Sequence, residues 1–446
     1  MTIGIGLLGL GTVGAGVAEI LASPEGRHPL VAELRLRRVA VRDPARPRPA
    51  AVDAALLTSD AAAVVDDPAV DIVVEVIGGL EPARSLILRA ISAGKPVVTA
   101  NKAVIARHGE EIAAAAAAAG VYVLLEAAVG GGIPIIEPLK QSLGANRISR
   151  VSGIINGTTN YILSRMAAEG ADYEAVLADA QRLGYAEADP AADVQGADAA
   201  DKIAILSNLA YGGSVPREGI PTEGIDQLDA RDVDYADKLG FVVKLLAVSQ
   251  LIETEPASAD QQPGCRLLDV RVHPTLLPRS HPLAGVGGVF NAILVEGDPV
   301  GQVMFYGPGA GAGPTASAVV ADILNIAGIR QATASAASGG GVAGIDPLLA
   351  AGSWRQCRLV DGARTTHRNY VRLRTSDQAG VIGRIGSCFG QAGVSIQSIV
   401  QFEADSEAAE IVVITHEVLE AHFRQALTAI AALPEVEGVA ACLRTL

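Results

Sequence analysis

Short, wholly apolar runs and longer segments with apolar residues at helical spacing take turns along the first third of the chain. Residues 3–8, IGIGLL, pass straight into GLGTVG, and TVGAGVAEILA then carries the helical period. The order is strand, glycine turn, helix. LRLRRVAVR (34–42) reads as a strand, AAAVVDDP as a short helix, VDIVVEVIG as a strand and ARSLILRAISAG as a helix. KPVVTAN gives a further strand, KAVIARHGEEIAAAAAAAG a helix and VYVLLEAA another strand. Such alternation predicts an α/β fold: a Rossmann-type parallel sheet with right-handed crossovers, covered on both faces.

Past residue 135 the rhythm changes. Glycine-punctuated segments such as VSGIINGTTNYILSRM and DKIAILSNLAYG are followed by apolar runs such as VVKLLAVSQ and NAILVEGD, which predicts a second, mixed α+β unit over 136–312. GPGAGAG (307–313) then introduces a helical pattern, PTASAVVADILNIAG, expected over about 313–328 and able to return the chain to the first domain, residues 1–135. Residues 331–352, opening on QATASAASGGGVAG, hold little that could form a core and read as a linker. Beyond them, over 353–446, NYVRLRT, AGVIGRIGSCFGQAG, VSIQSIVQF, AAEIVVITH, LEAHFRQALTAIAALP and VEGVAACLRT read as βαββαβ, a ferredoxin-like module.

Composition agrees with this picture and removes several function classes. Half of the 446 residues are hydrophobic while 3% are aromatic, so the cores must be filled by Ala, Val, Leu and Ile. A net charge of -14 repels phosphate backbones and anionic membranes, and no basic run interleaved with aromatics overrides it, so no nucleic-acid partner is expected. Cys265, Cys357, Cys388 and Cys442 lack metal-ligand spacing and read as filler in a reducing compartment. The N-terminus has no secretory signature and no uncharged apolar run is long enough to span a bilayer, so the expected location is the cytoplasm.

Candidate chemistry begins at G-x-G-x-x-G, formed by Gly9, Gly11 and Gly14. The first glycine makes the tight turn, the second lets the backbone meet a pyrophosphate and the third lets helix and strand pack closely. Between a strand and a helix, this motif predicts a dinucleotide on the helix N-terminus at Thr12 and Val13. Cofactor choice should fall at the end of the second strand, where VAVRDP offers both Arg42 for a 2′-phosphate and Asp43 for a 2′-hydroxyl. Arg35, Arg37, Arg38, Arg46 and Arg48 lie close by in sequence, which tilts the choice to NADP and leaves NAD open.

A second cluster lies in GYAEADPAADVQGADAADK (184–202), where Glu187, Asp189, Asp193, Asp198 and Asp201 accompany one lysine, Lys202. Asp198 and Lys202 are four residues apart and share a helical face. A solvated surface pair would account for them alone. The glycine- and proline-broken segment, however, could wrap a ligand, and a lysine beside a nicotinamide would protonate the oxygen that gains charge when a carbonyl is reduced. Lys102 in TANKAVIA stands at a strand-to-helix junction, where a cation opposes the helix dipole and so implies a ligand. EAAVGGGIPII (126–136) ends a strand in a glycine-rich turn whose carbonyls could face a cation or merely connect elements.

In this order, GLGTVG, TANKAVIA, EAAVGGGIPII, SGIINGTTNYIL and LGYAEADPAADVQGADAADKIAIL resemble the homoserine dehydrogenase family, in its longer bacterial form with a C-terminal ACT domain, over essentially the whole chain. The resemblance implies oxidation of L-homoserine to L-aspartate 4-semialdehyde with NAD(P)+, running in the cell toward homoserine for threonine and methionine synthesis. It implies Lys202 as proton donor and acceptor at the C4 oxygen, and Lys102 as a second lysine shared by substrate and nicotinamide. Glu187 and Asp198 match the homoserine-binding carboxylates with Asp193 nearby, and Thr158 and Tyr185 match backbone contacts. A sodium ion maps to Glu126 and the carbonyls of Val129, Gly131 and Ile133, and Gly311 matches a further cofactor contact. A homodimer or homotetramer is implied, as is amino-acid regulation, with L-threonine the hypothesis. The ACT turn departs from Asp-x-Pro-Gly, since SDQAGVIG has Ala379 at the proline position. Two alternatives stand beside this reading: another NAD(P)-dependent dehydrogenase of a small hydroxy or amino acid, and a non-catalytic amino-acid sensor. The Glu187 and Asp198 pair speaks for an ammonium-bearing substrate, and the two intact lysines speak for turnover.

Overall fold

The computed structural model describes residues 2–47, 51–252, 266–337, 355–405 and 408–445. Cys265, Arg48 and most of the expected linker, 338–352, lie outside the described residues.

The first strands are β1 (Ile3–Leu8), β2 (Leu34–Ala40), β3 (Leu57–Thr58), β4 (Ile72–Glu75), β5 (Val97–Thr99) and β6 (Val123–Leu124), in the spatial order β3-β2-β1-β4-β5-β6. All neighbours run parallel. The connections are α1 (Thr12–Ala22), α2 (Ala61–Asp66), α3 (Ala83–Ser92) and α4 (Lys102–Ala119). All six residues of β1 are buried, which fits its unbroken apolar run, because a parallel strand is covered on both faces. The order reverses between β2-β1 and β4, so a crevice opens at the carboxyl ends of β1 and β4, where ligands of such sheets bind.

The middle unit contributes α5 (Ile136–Lys140), β7 (Arg147–Ile154), α6 (Gly157–Glu169), α7 (Tyr173–Arg182), α8 (Ala191–Val194), α9 (Ala197–Tyr211), β8 (Gly213–Ser214) and α10 (Ala230–Lys238). Long strands follow: β9 (Phe241–Ile252), β10 (Arg266–Pro278), β11 (Phe290–Asp298) and β12 (Gly301–Pro308). They form the antiparallel array β12-β11-β7-β9-β10, with α6 and α9 packed across it.

Helix α11 (Ala312–Ala337) is longer than the pattern predicts, so residues 331–337, expected to begin the linker, are helical. By length and composition Ala312–Arg330 could cross a bilayer. It lies instead in the first domain's core, with Ala316, Val319, Ile323 and Ile326 fully buried against α1 and the sheet. At the crossing, a Cβ on Gly16 of α1 would meet the Ala312 carbonyl at 2.7 Å, so only glycine permits this approach.

After β13 (Arg355–Leu359), which pairs with β10 and β8, the chain forms β14 (Thr366–Ser376), α12 (Val381–Gln391), β15 (Ile396–Asp405), β16 (Ala408–Thr415), the short β17 (Val418–Leu419), α13 (Glu420–Ala431) and β18 (Val436–Thr445). The sheet order β18-β14-β16-β15 is the expected ferredoxin-like one. The sequence pattern did not reveal that β18 also pairs in parallel with β10 at Thr275 and Leu276, which joins this module's sheet to the middle one.

Candidate active site

The glycine turn is built as its spacing requires. Gly9 has φ +105°, and a Cβ on Gly14 would lie 2.2 Å from the Gly9 carbonyl oxygen. A Cβ on Gly11 would meet nothing within 4 Å, which leaves space in front of the α1 N-terminus, whose cap offers no side-chain acceptor to the amides of Thr12 and Val13. A phosphate fits that space. At the end of β2, Arg42 is exposed, whereas an oxygen of Asp43 accepts from the Ala45 amide in its own turn. Arg35 bonds the carbonyls of Ala32 and Leu34, and Arg38 pairs with Asp67, so neither faces the crevice freely.

Lys102 opens α4 directly after β5. The preceding Asn101 caps the helix by accepting from the Val104 amide, and its own amide donates to the Gly79 carbonyl. Beneath it, Glu75 is fully buried at the end of β4 and accepts from the Thr99 hydroxyl at 2.6 Å and the Ile77 amide at 2.8 Å. This carboxylate fixes the sheet edge that presents Lys102. Sequence reading missed Glu75, because an acid ending an apolar strand looks like an ordinary solvated terminus.

From the middle unit, α9 brings Asp198 and Lys202. Gly196 caps the helix in the left-handed region, φ +83°, so Asp198 falls in the first turn, where the helix dipole favours a carboxylate. Asp198 is buried and holds both lysines: Oδ2 lies 2.7 Å from Lys202 Nζ and Oδ1 2.8 Å from Lys102 Nζ. Lys202 also donates to the Ile155 carbonyl at 2.7 Å. Burial pushes the Asp198 carboxyl up, but the two ammonium charges outweigh it and hold the group far below the usual carboxylate range. Burial opposes the charge of Lys102, and Asp198 more than restores it, so its pKa is raised.

The next residues outward complete the cluster. Asn156 donates to Asp193 at 2.7 Å and to Asp198 at 2.9 Å, and it caps α6 by accepting from the Thr159 amide. The Thr158 hydroxyl donates to the Tyr185 carbonyl at 2.6 Å and lies 3.4 Å from Asp193 Oδ2. Burial, aided by Asp198, leaves the Asp193 pKa raised despite the Asn156 bond. Asp201 turns to the other side, where Arg217 and Arg107 engage it. Glu187 is exposed, and among the described residues its carbonyl alone is engaged, by Gln181. The structure thus brings Lys102, Lys202, Asp198, Asp193 and Thr158 together, with the exposed Tyr185 touching through its carbonyl, and leaves the Glu187 carboxylate apart. Asn156 was not singled out. Its place before a helix shows as a cap in sequence, but only packing shows its amide facing two acids.

In the turn after β6, the Glu126 carboxylate accepts from the amides of Ile135, Ile136 and Glu137, at 2.6, 2.8 and 2.8 Å. Its own amide donates to Asp322 of α11 at 2.8 Å. Burial pushes both acids up; for Glu126 it outweighs the three amide bonds, with Glu137 adding to it, and for Asp322 the charges of Glu126 and Glu137 add to it. Val129, Gly131 and Ile133 are buried, and among the described residues no donor reaches their carbonyls. A cation suits this set: it would satisfy the carbonyls and favour the ionised acids. The turn interlocks with the loop before α11, since a Cβ on Gly131 would meet the Gly309 carbonyl oxygen at 2.5 Å, and Gly311 stands there with φ +123°.

A glycine turn open to a dinucleotide at the switch point, facing two lysines on one buried acid, defines a nicotinamide-dependent oxidoreductase. Comparison with known proteins narrows the class. A family model described as homoserine dehydrogenase, NAD binding domain, matches residues 9–126; one described as homoserine dehydrogenase matches 134–324; and an ACT domain matches 369–435. The chain is similar to a homoserine dehydrogenase of Synechocystis sp., 54% identical over 446 residues and 100% of both chains. It superposes on a crystal structure of a homoserine dehydrogenase from Thiobacillus denitrificans with a TM-score of 0.88 at 42% identity, covering 100% of this chain and 98% of that one. A hyperthermophilic archaeal homoserine dehydrogenase in complex with NADPH matches with a TM-score of 0.59 at 28% identity, covering 73% of this chain and 98% of that one. The chain belongs to the homoserine dehydrogenase family, and its reaction interconverts L-homoserine and L-aspartate 4-semialdehyde with NAD(P).

Proposed function

We propose that Lys202 exchanges the proton at the C4 oxygen of homoserine, with Lys102 beside it as the second cation at the reacting end. One observation carries this reading: Asp198 holds both ammonium groups on its two oxygens at the carboxyl edge of the nucleotide-binding sheet. A lysine ammonium has three N–H groups. Two of those on Lys202 are directed to Asp198 and the Ile155 carbonyl, which leaves the third for the substrate oxygen. When bound, the nicotinamide supplies or accepts the hydride. As the semialdehyde carbonyl gathers negative charge, the third N–H donates to it and Lys102 adds positive charge nearby. Glu187 and Asp198 serve as the homoserine-binding carboxylates with Asp193 close by, Glu187 reaching in from its exposed position, and Thr158 and the Tyr185 carbonyl add contacts. In the cell the reaction runs toward homoserine, for threonine and methionine synthesis.

NADP is the preferred cofactor, since Arg42 is exposed at the end of β2 while Asp43 serves its own turn. Thr12, Val13, Gly9, Gly11 and Gly14 hold its diphosphate and Gly311 adds a contact. Sodium sits on the carbonyls of Val129, Gly131 and Ile133, with Glu126 fixing the turn. The enzyme is a cytoplasmic homodimer or homotetramer; Phe290, Met304 and Tyr306, exposed along the sheet edge formed by β11 and β12, are suited to a second copy. Its division is 1–135 with α11, 136–312, a linker to about 352 and the ACT module to 446, whose effector is L-threonine. Following nicotinamide absorbance with L-homoserine, and comparing NAD+ with NADP+, tests substrate and cofactor together: no reduction with either overturns the reading. An unchanged rate and unchanged thermal stability on adding threonine would remove the effector.

A further inference from the structure

Beside the reacting groups lies a second ionic cluster that the proposed chemistry leaves unused. Asp201 of α9 is 7% exposed, and its Oδ1 accepts from two arginines: Nε of Arg217, in the turn after β8, and Nη1 of Arg107 on α4, at 3.1 Å. Arg217 belongs to the middle unit, like Asp201. Its Nη2 donates to the Ala197 carbonyl at the start of α9 at 3.1 Å, and Asn208 of the same helix accepts from the Val215 amide at 2.7 Å, so this arginine aims the carboxylate from within. Arg107 comes from the parallel-sheet unit. The Ala103 carbonyl holds its guanidinium against its own helix at 3.3 Å.

Among the described residues, the ion pairs that join these two units all start on α4: Lys102 to Asp198, Arg107 to Asp201 and Arg107 to Glu218. The last is long, 3.8 Å, and Glu218 is 76% exposed, so it contributes little. The other two differ in what turnover asks of them. Under the proposed roles, Asp198 also receives the substrate ammonium, which competes with Lys102 for the same carboxylate. Asp201 turns away from that cluster, and its bond to Arg107 meets no such competitor. Its charge nevertheless reaches the site: burial opposes the charge on Lys102, and Asp201 adds to Asp198 in restoring it.

We infer that Arg107 and Asp201 are positioning residues for hydride transfer: they keep α4 in register with α9, and so Lys102 beside Lys202, while substrate displaces Lys102 from Asp198. This rests on the proposed roles of Lys102 and Asp198. Asp201 stands three residues after Asp198 and one before Lys202, so pinning it fixes the rotation of the helix that aims both. Arg107 stands little more than one helical turn after Lys102, so the same pin fixes the start of α4.

Arg107→Met leaves Asp201 paired with Arg217, so this variant should fold. Its NAD(P)H affinity, followed by fluorescence, should stay near wild type, because the glycine turn lies wholly in the parallel-sheet unit. Counted per bound NAD(P)H, its kcat should fall about ten- to a hundredfold, the scale of a small misplacement of reacting groups. A loss of folded protein alone would not move that ratio. Arg107→Lys should restore most of the rate, since one ammonium can reach one carboxylate oxygen. Asp201→Asn should slow turnover likewise, and the double variant should be no slower than the slower single one. A wild-type kcat per bound cofactor in Arg107→Met overturns the inference, as do additive losses in the double variant. Lys102→Met, measured alongside, separates the two levels. If it is slow while Arg107→Met is not, the inference alone fails; if it turns over normally, the role of Lys102 fails and takes the inference with it.

Discussion

Two three-ion arrangements in this molecule are mirror images in charge. At the active site one acid, Asp198, lies between Lys102 and Lys202; between the middle unit and the ACT module one base, Arg372, lies between Asp232 and Glu410. The second is closed. Its side chains are 1–2% exposed, Tyr370 donates to Asp232 at 3.1 Å, Tyr235 donates to Glu410 at 2.7 Å, and Arg231 adds a bond at 3.2 Å. The first is open: the Lys102 side chain is 39% exposed, and among the described residues Lys202 keeps an N–H unspent and Asp193 has one oxygen with only a long contact. Charge clusters of similar composition thus do different work. The saturated one joins two units, while the unsaturated one keeps groups open at the carboxyl edge of the nucleotide-binding sheet.

Lys202→Ala should have the greatest consequence. Its kcat should fall about 10²–10⁴-fold, the usual scale for a general acid, with NAD(P)H affinity nearly intact by fluorescence titration. Normal turnover would take Lys202 out of its role. At the other cluster, Arg372→Met should cost about 3–5 kcal/mol, because Asp232 and Glu410 stay buried without their cation. Urea unfolding should show this as an earlier loss of the ACT module while kcat of the folded enzyme stays near wild type; equal stability would make the cluster dispensable.

Asn156→Ala strips a donor from two acids and a cap from α6, so about 1–3 kcal/mol of stability should go together with a lower kcat/KM. If only stability moves, Asn156 serves the helix alone. Glu187→Gln should leave kcat unchanged and raise the homoserine KM by about tenfold, the scale of one charged hydrogen bond; an unaltered KM would exclude the carboxylate from substrate binding.

The smallest effect concerns acid. The folded pKa of Asp198 is depressed, so the carboxylate contributes stability that is present above its unfolded pKa of about 3.9 and lost as pH falls through the lower folded value. The stability difference between wild type and Asp198→Asn should therefore be flat from neutral pH down to about 5 and shrink below about 4. A difference that already changes near neutrality would contradict two lysines acting on this acid.

How much of this was legible in the chain depends on distance along it. The glycine turn, the βαβ alternation and the C-terminal βαββαβ order arise from local apolar periodicity, and each appears as an element in the fold. The Asp198 and Lys202 pair was visible because one helical turn brings residues four apart together. Arg42 and Asp43 offered two cofactor readings; in the fold Arg42 is exposed and an oxygen of Asp43 accepts from the Ala45 amide. Glu75, Asn156 and the Arg372 network carried no local mark, since their partners lie in other elements.

By itself, then, the sequence determined the kinds of elements, the dinucleotide turn and the acid-rich helix start, because period, glycine conformation and capping act within a few residues. Tertiary packing decided that Lys102 from the parallel sheet shares an acid with Lys202 from another unit, and that β18 extends the middle sheet through β10. These depend on which surfaces bury one another, a long-range choice made by the whole set of apolar faces and charged partners at once.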